Sequence, residues 1–317
     1  MRYFPIIIFS LLVFNTSPAQ KNNDSLESLL SKSSGTTKLK ILFELFTNLK
    51  RTDPNKSLLY FKQFEKFYFD SNQPKTFSGR YYLYKGETQS HEGNDSLAII
   101  SYKKAEPFFV QEKDYLALWN LYNSYGNTCE EHGRSVLALD YFLKALKIAE
   151  NHLEKGSVAG SYMNIGVEYA QQGNLKEALS YFQKSKEYHQ QFTNSWGYGN
   201  DLNNIGQLNS MMGNMDSALY YYEKAMFVWE KISDEGGLAM TSFNLGTLYT
   251  ETKDYKNAEN FLLKSFQISE KTNDQYGITQ NYSALSTMYF ASGQNEKGLE
   301  YLNKSIEFLC LFFQLQI

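Results

Sequence analysis

A single period constrains this chain more than any other feature. Stepping 40 residues from Gly166 meets Gly86, Gly126, Gly206, Gly246 and Ser286. The same step from Gly173 meets Gly93, Gly133, Gly213, Lys253 and Gly293. From Ala178 it meets Ala98, Ala138, Ala218, Ala258 and Gly298, and from Ser185 it meets Ala105, Ala145, Ala225, Ser265 and Ser305. These small-residue columns stay in register without insertion from Tyr82 onward. Units that tolerate no insertion are units that stack, each completing its core against its neighbours.

The central unit, Tyr162–Ser185, reads as two short amphipathic helices joined by a Gly-Asn turn. Gly166, Ala178 and Ser185 stand where two helix backbones must come close, and Tyr162, Ile165, Tyr169, Leu179 and Phe182 fill the space around them. None of the five prolines follows Pro107, so helical periodicity runs uninterrupted over the rest of the chain and the fold class is all-α. An aromatic content of 16% suits side chains wedged between successive helices. The tyrosines at Tyr141, Tyr181, Tyr220–Tyr222 and Tyr301 recur on second helices and read as packing residues. A net charge of −3, with no long run of one sign, excludes a basic nucleic-acid footprint in this region. Cys129 and Cys310 stand in distant repeats, beyond the roughly 6 Å between Cα atoms that a disulfide needs. Cys129 falls in the column of Tyr169 and reads as a small buried residue.

In order, residues 1–19 read as a secretory signal peptide: Arg2, an apolar run Tyr3–Phe14, and Ser17-Pro18-Ala19 as the cleavage site. The apolar run is too short to span a bilayer. Residues 20–35 are polar and read as a flexible lead-in. Residues 36–78 form a degenerate first repeat, as terminal repeats of an array tend to be. The clear repeats occupy 79–309, at roughly 79–111, 119–152, 159–192, 199–232, 239–272 and 279–309. Residues 310–317 continue the apolar end FLCLFFQLQI, which is read as the edge of a truncated chain. A membrane tether beyond Ile317 is part of that expectation.

Tyr162, Ile165, Gly166, Tyr169, Ala178, Phe182 and Ser185 fall at the signature spacing of the tetratricopeptide repeat, which the chain resembles over about residues 40–309. The common unit of that family is about 34 residues, and this chain resembles its long-repeat subclass. The resemblance implies a right-handed superhelical solenoid of antiparallel helix pairs, with the first helix of each pair lining a concave surface. On that surface Asn164, Asn204 and Asn244 form a column, with Asn203, Asn123, Asn127 and Asn120 on or near the same face and Gln207 beside them. A side-chain amide donates and accepts, so a ladder of amides can pair with the backbone of an extended peptide. The same amides can instead bond neighbouring helices and fix the superhelix, and the sequence leaves both readings open. The other groove positions are neutral: Met163, Val167, Gln171, Ser210, Met211, Phe243, Thr247, Thr250, Ser283, Thr287 and Phe290. Arg80 is the basic exception, so the clamp that grips a C-terminal carboxylate in some relatives is not expected. Glu130, Glu131 and Glu251 read as a solvated rim.

Catalysis is not expected. His91, His132, His152 and His189 are scattered and read as surface or capping residues, and no metal-ligand, phosphate-loop or nucleophile-elbow spacing occurs. Neither a cofactor nor a metal is expected. The partner is a protein or extended peptide in the concave groove, with no nucleic acid bound by this region. Signal peptides followed by such repeats resemble the extracytoplasmic sensor regions of Bacteroidetes-like bacterial signalling proteins. The resemblance therefore implies an exported interaction module at the periplasmic or extracytoplasmic face of the inner membrane. The alternative is a self-contained periplasmic or secreted scaffold for envelope-protein assembly.

Overall fold

The computed structural model describes residues 18–49, 53–72, 74–192 and 195–314. Among the described residues there are 15 α-helices, a short 3-10 turn at Gln190–Phe192, and no strand. The chain divides into two compact units, Met1–Gln172 and Gly173–Ile317.

The first unit holds α1 (Pro18–Leu30), α2 (Gly35–Leu49), α3 (Pro54–Asp70), α4 (Lys75–His91), α5 (Asp95–Glu112), α6 (Tyr115–Glu131), α7 (Ser135–His152) and α8 (Lys155–Gln171). The second holds α9 (Leu175–His189), α10 (Trp196–Met211), α11 (Met215–Ile232), α12 (Glu235–Glu251), α13 (Tyr255–Lys271), α14 (Gln275–Ala291) and α15 (Asn295–Gln314). First helices therefore begin at Lys75, Tyr115, Lys155, Glu235 and Gln275, about a turn before the repeat boundaries read from the signature residues. At three of them capping accounts for it: the carboxylates of Asp114, Asp234 and Asp274 accept from the backbone N–H of Ala117, Gly237 and Gly277 and start those helices early.

The polar stretch 20–35, expected to be flexible, is largely helix α1 and its turn into α2. Leu26 is buried in the first core, Asn48 Nδ2 donates to Asn23 Oδ1 at 3.0 Å, and Lys56 pairs with Glu27 at 2.7 Å. One apolar side chain and two polar anchors on α2 and α3 are enough to order a segment with little hydrophobic periodicity. The leader falls on residues 1–17, which lie outside the described residues, apart from Pro18 and Ala19 at the start of α1. Of the apolar tail, residues 315–317 lie outside them as well, and the backbone before them continues α15 to Gln314.

In the pairs α4–α5, α6–α7, α10–α11 and α12–α13 the helices meet where the first one has no side chain. A methyl group on Gly206 would lie 2.8 Å from the Tyr222 ring, and one on Gly246 would lie 2.6 Å from Leu262 Cγ. Gly86 and Gly126 face Tyr102 and Phe142 in the same way, 16 residues ahead. Opposite these glycines the alanine column at Ala98, Ala138, Ala218 and Ala258 is fully buried. The turn joining the pair needs a left-handed residue: Gly93, Gly133, Gly173, Gly213 and Gly293 supply it at φ +68° to +81°, and Lys253 adopts it at +64°. The tyrosine reading holds for Tyr222, which is buried, but Tyr220 is exposed and carries Lys224 over its ring at 4.3 Å.

Adding a methyl group to a mid-helix glycine gains about 1 kcal/mol of helix propensity, whereas overpacking a fixed ring costs about 1–3 kcal/mol. Gly206→Ala is therefore expected to destabilise the chain by about 1–2 kcal/mol in urea titrations. Gly156→Ala, whose added methyl group meets nothing within 4 Å, is expected to stabilise it by up to about 1 kcal/mol.

Candidate functional site

The first helices of the two units carry the predicted amides, and the structure joins several of them in pairs. In the first unit Asn164 Nδ2 on α8 donates to Asn123 Oδ1 on α6 at 2.9 Å. Asn123 Nδ2 in turn donates to the Trp119 carbonyl at 2.9 Å, and the Trp119 indole donates to Ser161 Oγ at 2.8 Å. In the second unit Asn244 Nδ2 on α12 donates to Asn203 Oδ1 on α10 at 3.1 Å. Thr241 Oγ1 donates to the same oxygen at 3.1 Å and accepts from the Trp229 indole at 2.9 Å. Each unit thus repeats one device: a tryptophan N–H, a small hydroxyl residue and an amide pair that stitches successive first helices together.

These bonds realise the inter-helix reading for Asn123, Asn164, Asn203 and Asn244. The pairing runs from one repeat's column to the preceding position of the repeat before, a spacing of 41 residues. Asn203 and Asn204 are buried, within an unbroken buried run from Gly199 to Gly206 on α10. Neither amide atom of Asn204 has a hydrogen-bond partner among the described residues. Asn204 therefore leaves the groove-lining set. Asn127 and Asn120 are exposed, and Gln207, Asn164 and Asn244 are half-buried, so these remain available to a ligand.

In the second unit the remaining first-helix face is neutral. Gln207, Ser210, Phe243, Thr247 and Thr250 are half-buried, and Met211, Ser283, Thr287 and Phe290 are exposed. Thr247, Thr250 and Thr287 each donate to a carbonyl of their own helix, which leaves their oxygens as acceptors. In the first unit Arg80, the basic residue of these columns, is held by Asp114 at 2.7 Å.

The reading of Glu130 as solvated rim fails. Its proton affinity is pushed up to about 7, first by burial and then by the negative charge of Glu168. Glu168 was not singled out from the sequence, and it is fully buried. The available signal was its column, which otherwise reads Thr88, Thr128, Leu208, Leu248 and Met288. His189 is also no surface residue: its Nδ1 lies 2.7 Å from Asp201 Oδ2, and both side chains are almost wholly enclosed. Burial raises the Asp201 carboxyl, and the bond to His189 opposes that rise. His152 stacks on Tyr115 with ring centroids 3.6 Å apart. Cys129 is buried, as expected, and both Cys129 and Cys310 are free thiols. Among the described residues no group of three or more His, Cys, Asp or Glu could hold a metal ion, and no helix is long and apolar enough to cross a membrane.

The tetratricopeptide repeat family matches residues 157–231 and 237–310. Several solved structures share the fold at low identity. The apo form of the quorum sensor NprR from B. thuringiensis is 16% identical with a TM-score of 0.73, over 92% of this chain and 81% of that one. The apo form of RapI is 15% identical with a TM-score of 0.68, over 87% of this chain and 99% of that one. The STAND protein with a tetratricopeptide repeat sensor, PH0952 from Pyrococcus horikoshii, is 17% identical with a TM-score of 0.68, over 92% of this chain and 45% of that one. No curated protein matches the chain by sequence. The matched repeats are tetratricopeptide repeats, and an array of this kind is a protein-interaction module.

Asn203 Oδ1 serves two donors, so Asn203→Ala strands both Thr241 Oγ1 and Asn244 Nδ2; it is expected to cost about 1–3 kcal/mol in urea titrations. Glu130 gives a pH signature. Its folded-state proton affinity lies above the unfolded value of 4.5, so its stabilising contribution is complete below that pH and is lost as pH rises through about 7. Urea midpoints for Glu130→Gln are expected to fall less than those of the parent chain between pH 5 and pH 8.

Proposed function

We propose that this chain is the exported, ligand-binding part of a bacterial signalling protein, and that it holds a protein or an extended peptide against its first-helix face. The observation that carries the binding reading is the composition of that face in the second unit. It offers amide and hydroxyl groups at repeat spacing, the apolar side chains of Met211, Phe243 and Phe290, and no lysine or arginine. An extended backbone exposes N–H and C=O groups that such groups can match, and the apolar side chains supply area without demanding a charge. Half-buried Asn164 and Asn244 belong to this reading too. Their bonds to Asn123 and Asn203 fix the amides in place, which lowers the ordering cost of binding.

Export rests on the leader: a basic start, a short apolar run and a small-x-small end. The sensor reading is placed ahead of the scaffold reading because two proteins of this fold, NprR and the PH0952 repeat region, are named as sensors.

Two measurements test the proposal. Selection of random 12-residue peptides displayed on phage against the purified chain is expected to yield binders. Gln207→Arg combined with Thr247→Arg is expected to weaken them at least about tenfold, with the helical circular dichroism unchanged. Equal binding by that variant would move the site away from the first-helix face. For export, the protein recovered from a bacterial envelope fraction is expected to begin at Gln20; an intact Met1 in the cytoplasm would sink that part.

A further inference from the structure

The feature left unexplained by the interaction scaffold is the buried acid on α8. The column of Glu168 packs between repeats: Thr128, Leu208, Leu248 and Met288 are all buried there. The register of that contact is visible at Thr128, whose Oγ1 donates to Ser90 Oγ at 2.9 Å, 38 residues earlier. The same step from Glu168 leads to Glu130 on α6. The two acids do sense each other, since Glu168 is the charge that most raises the proton affinity of Glu130.

No cation is among the groups that act on Glu130. Glu130 Oε1 accepts from the Gln171 side chain, and Glu168 Oε1 accepts from the Gln172 side chain at 2.8 Å. Both donors are neutral. Glu168 Oε2 is buried with no hydrogen-bond partner among the described residues. The groups acting on Glu130 are Glu168, Glu131 and Gln171, none of them cationic. A buried carboxylate with an unmet oxygen is destabilising, and a leucine in its place would be the ordinary solution, as at Leu208 and Leu248. The arrangement makes sense when a cation arrives from outside. Glu130 opens towards the groove: it is half-buried and stands in the column of Ser210, Thr250 and Phe290, one turn from exposed Asn127.

We propose that Glu130 and Glu168 form a cation-accepting subsite on the first-helix face of the first unit, taking the lysine or arginine side chain of a bound peptide. This deepens the groove-binding reading and rests on it. A basic side chain fits better than a divalent metal, because two carboxylates and two neutral amides, with one acid oxygen buried, fall short of the 6–8 oxygens that calcium takes. Glu130 makes the direct contact, and Glu168 supplies the second negative charge behind it at low local dielectric, where an ion pair is worth more than at an open surface.

The test uses the phage library of random 12-residue peptides against the purified full chain. Binders are expected to be enriched in Lys or Arg at one position. A binder with that residue replaced by norleucine is expected to bind about tenfold more weakly. Glu130→Gln and Glu168→Gln are expected to erase the difference between the two peptides while leaving the norleucine peptide's affinity unchanged. Binders without a basic residue, or a preference that survives both variants, would overturn the subsite and leave the groove intact. A library that yields no binder would overturn both. Calcium chloride that binds without peptide, and competes with the basic one, would overturn the side-chain assignment in favour of a metal. Glu168→Leu separates a functional acid from a structural one. It is expected to raise the melting temperature by about 2–4 °C while abolishing the preference for the basic peptide. A lower melting temperature would show that the carboxylate serves the fold.

Discussion

The structure depends on one close approach, repeated: a glycine on the first helix of a pair lying against a ring or branched side chain on the second. Gly86 and Tyr102, Gly126 and Phe142, Gly206 and Tyr222, and Gly246 and Leu262 are versions of the same contact. There is no space for a methyl group at any of them. Because helix backbones come this near, the alanine column opposite is fully enclosed. The period follows from this. A residue inserted between glycine and ring would turn one helix face away from the other and break the contact.

Between repeats the chain relies on polar as well as apolar contacts. Trp119 and Trp229 present their indole N–H groups to Ser161 and Thr241, and the paired amides beside them complete the link from one first helix to the next. Buried amides are costly when unpaired, so these pairs specify a register that apolar packing alone would leave looser. The device is absent at Asn204, neither of whose amide atoms has a partner among the described residues. It is also varied at His189 and Asp201, where an imidazole and a carboxylate take the places of the tryptophan and the hydroxyl residue.

The two units offer different chemistry on equivalent first-helix columns. The second unit presents hydroxyls, amides and apolar side chains. The first carries exposed Asn127 and half-buried Glu130 there, and Arg80 is held by Asp114. A scaffold whose repeats share a backbone can vary such positions freely, because they carry none of the glycine-to-ring contact.

The sequence by itself determined the helical class, the 40-residue spacing of the small-residue columns and the residues that fill them. Small-residue columns at a fixed period are local and repeated, so they survive being read in one dimension. It also offered the amides of the first helices as candidates for the site. What it left undecided was where each amide bonds: Asn164 and Asn244 each reach an asparagine 41 residues earlier on the preceding first helix. The order of α1 was hidden too, since it comes from anchors on α2 and α3 rather than from its own weak pattern. Only the tertiary structure decided that Glu168 is buried against the preceding repeat and that Glu130 is not simply solvated. A carboxylate's charge is legible in its letter, but its proton affinity is set by the water it loses and the charge it meets when the repeats stack.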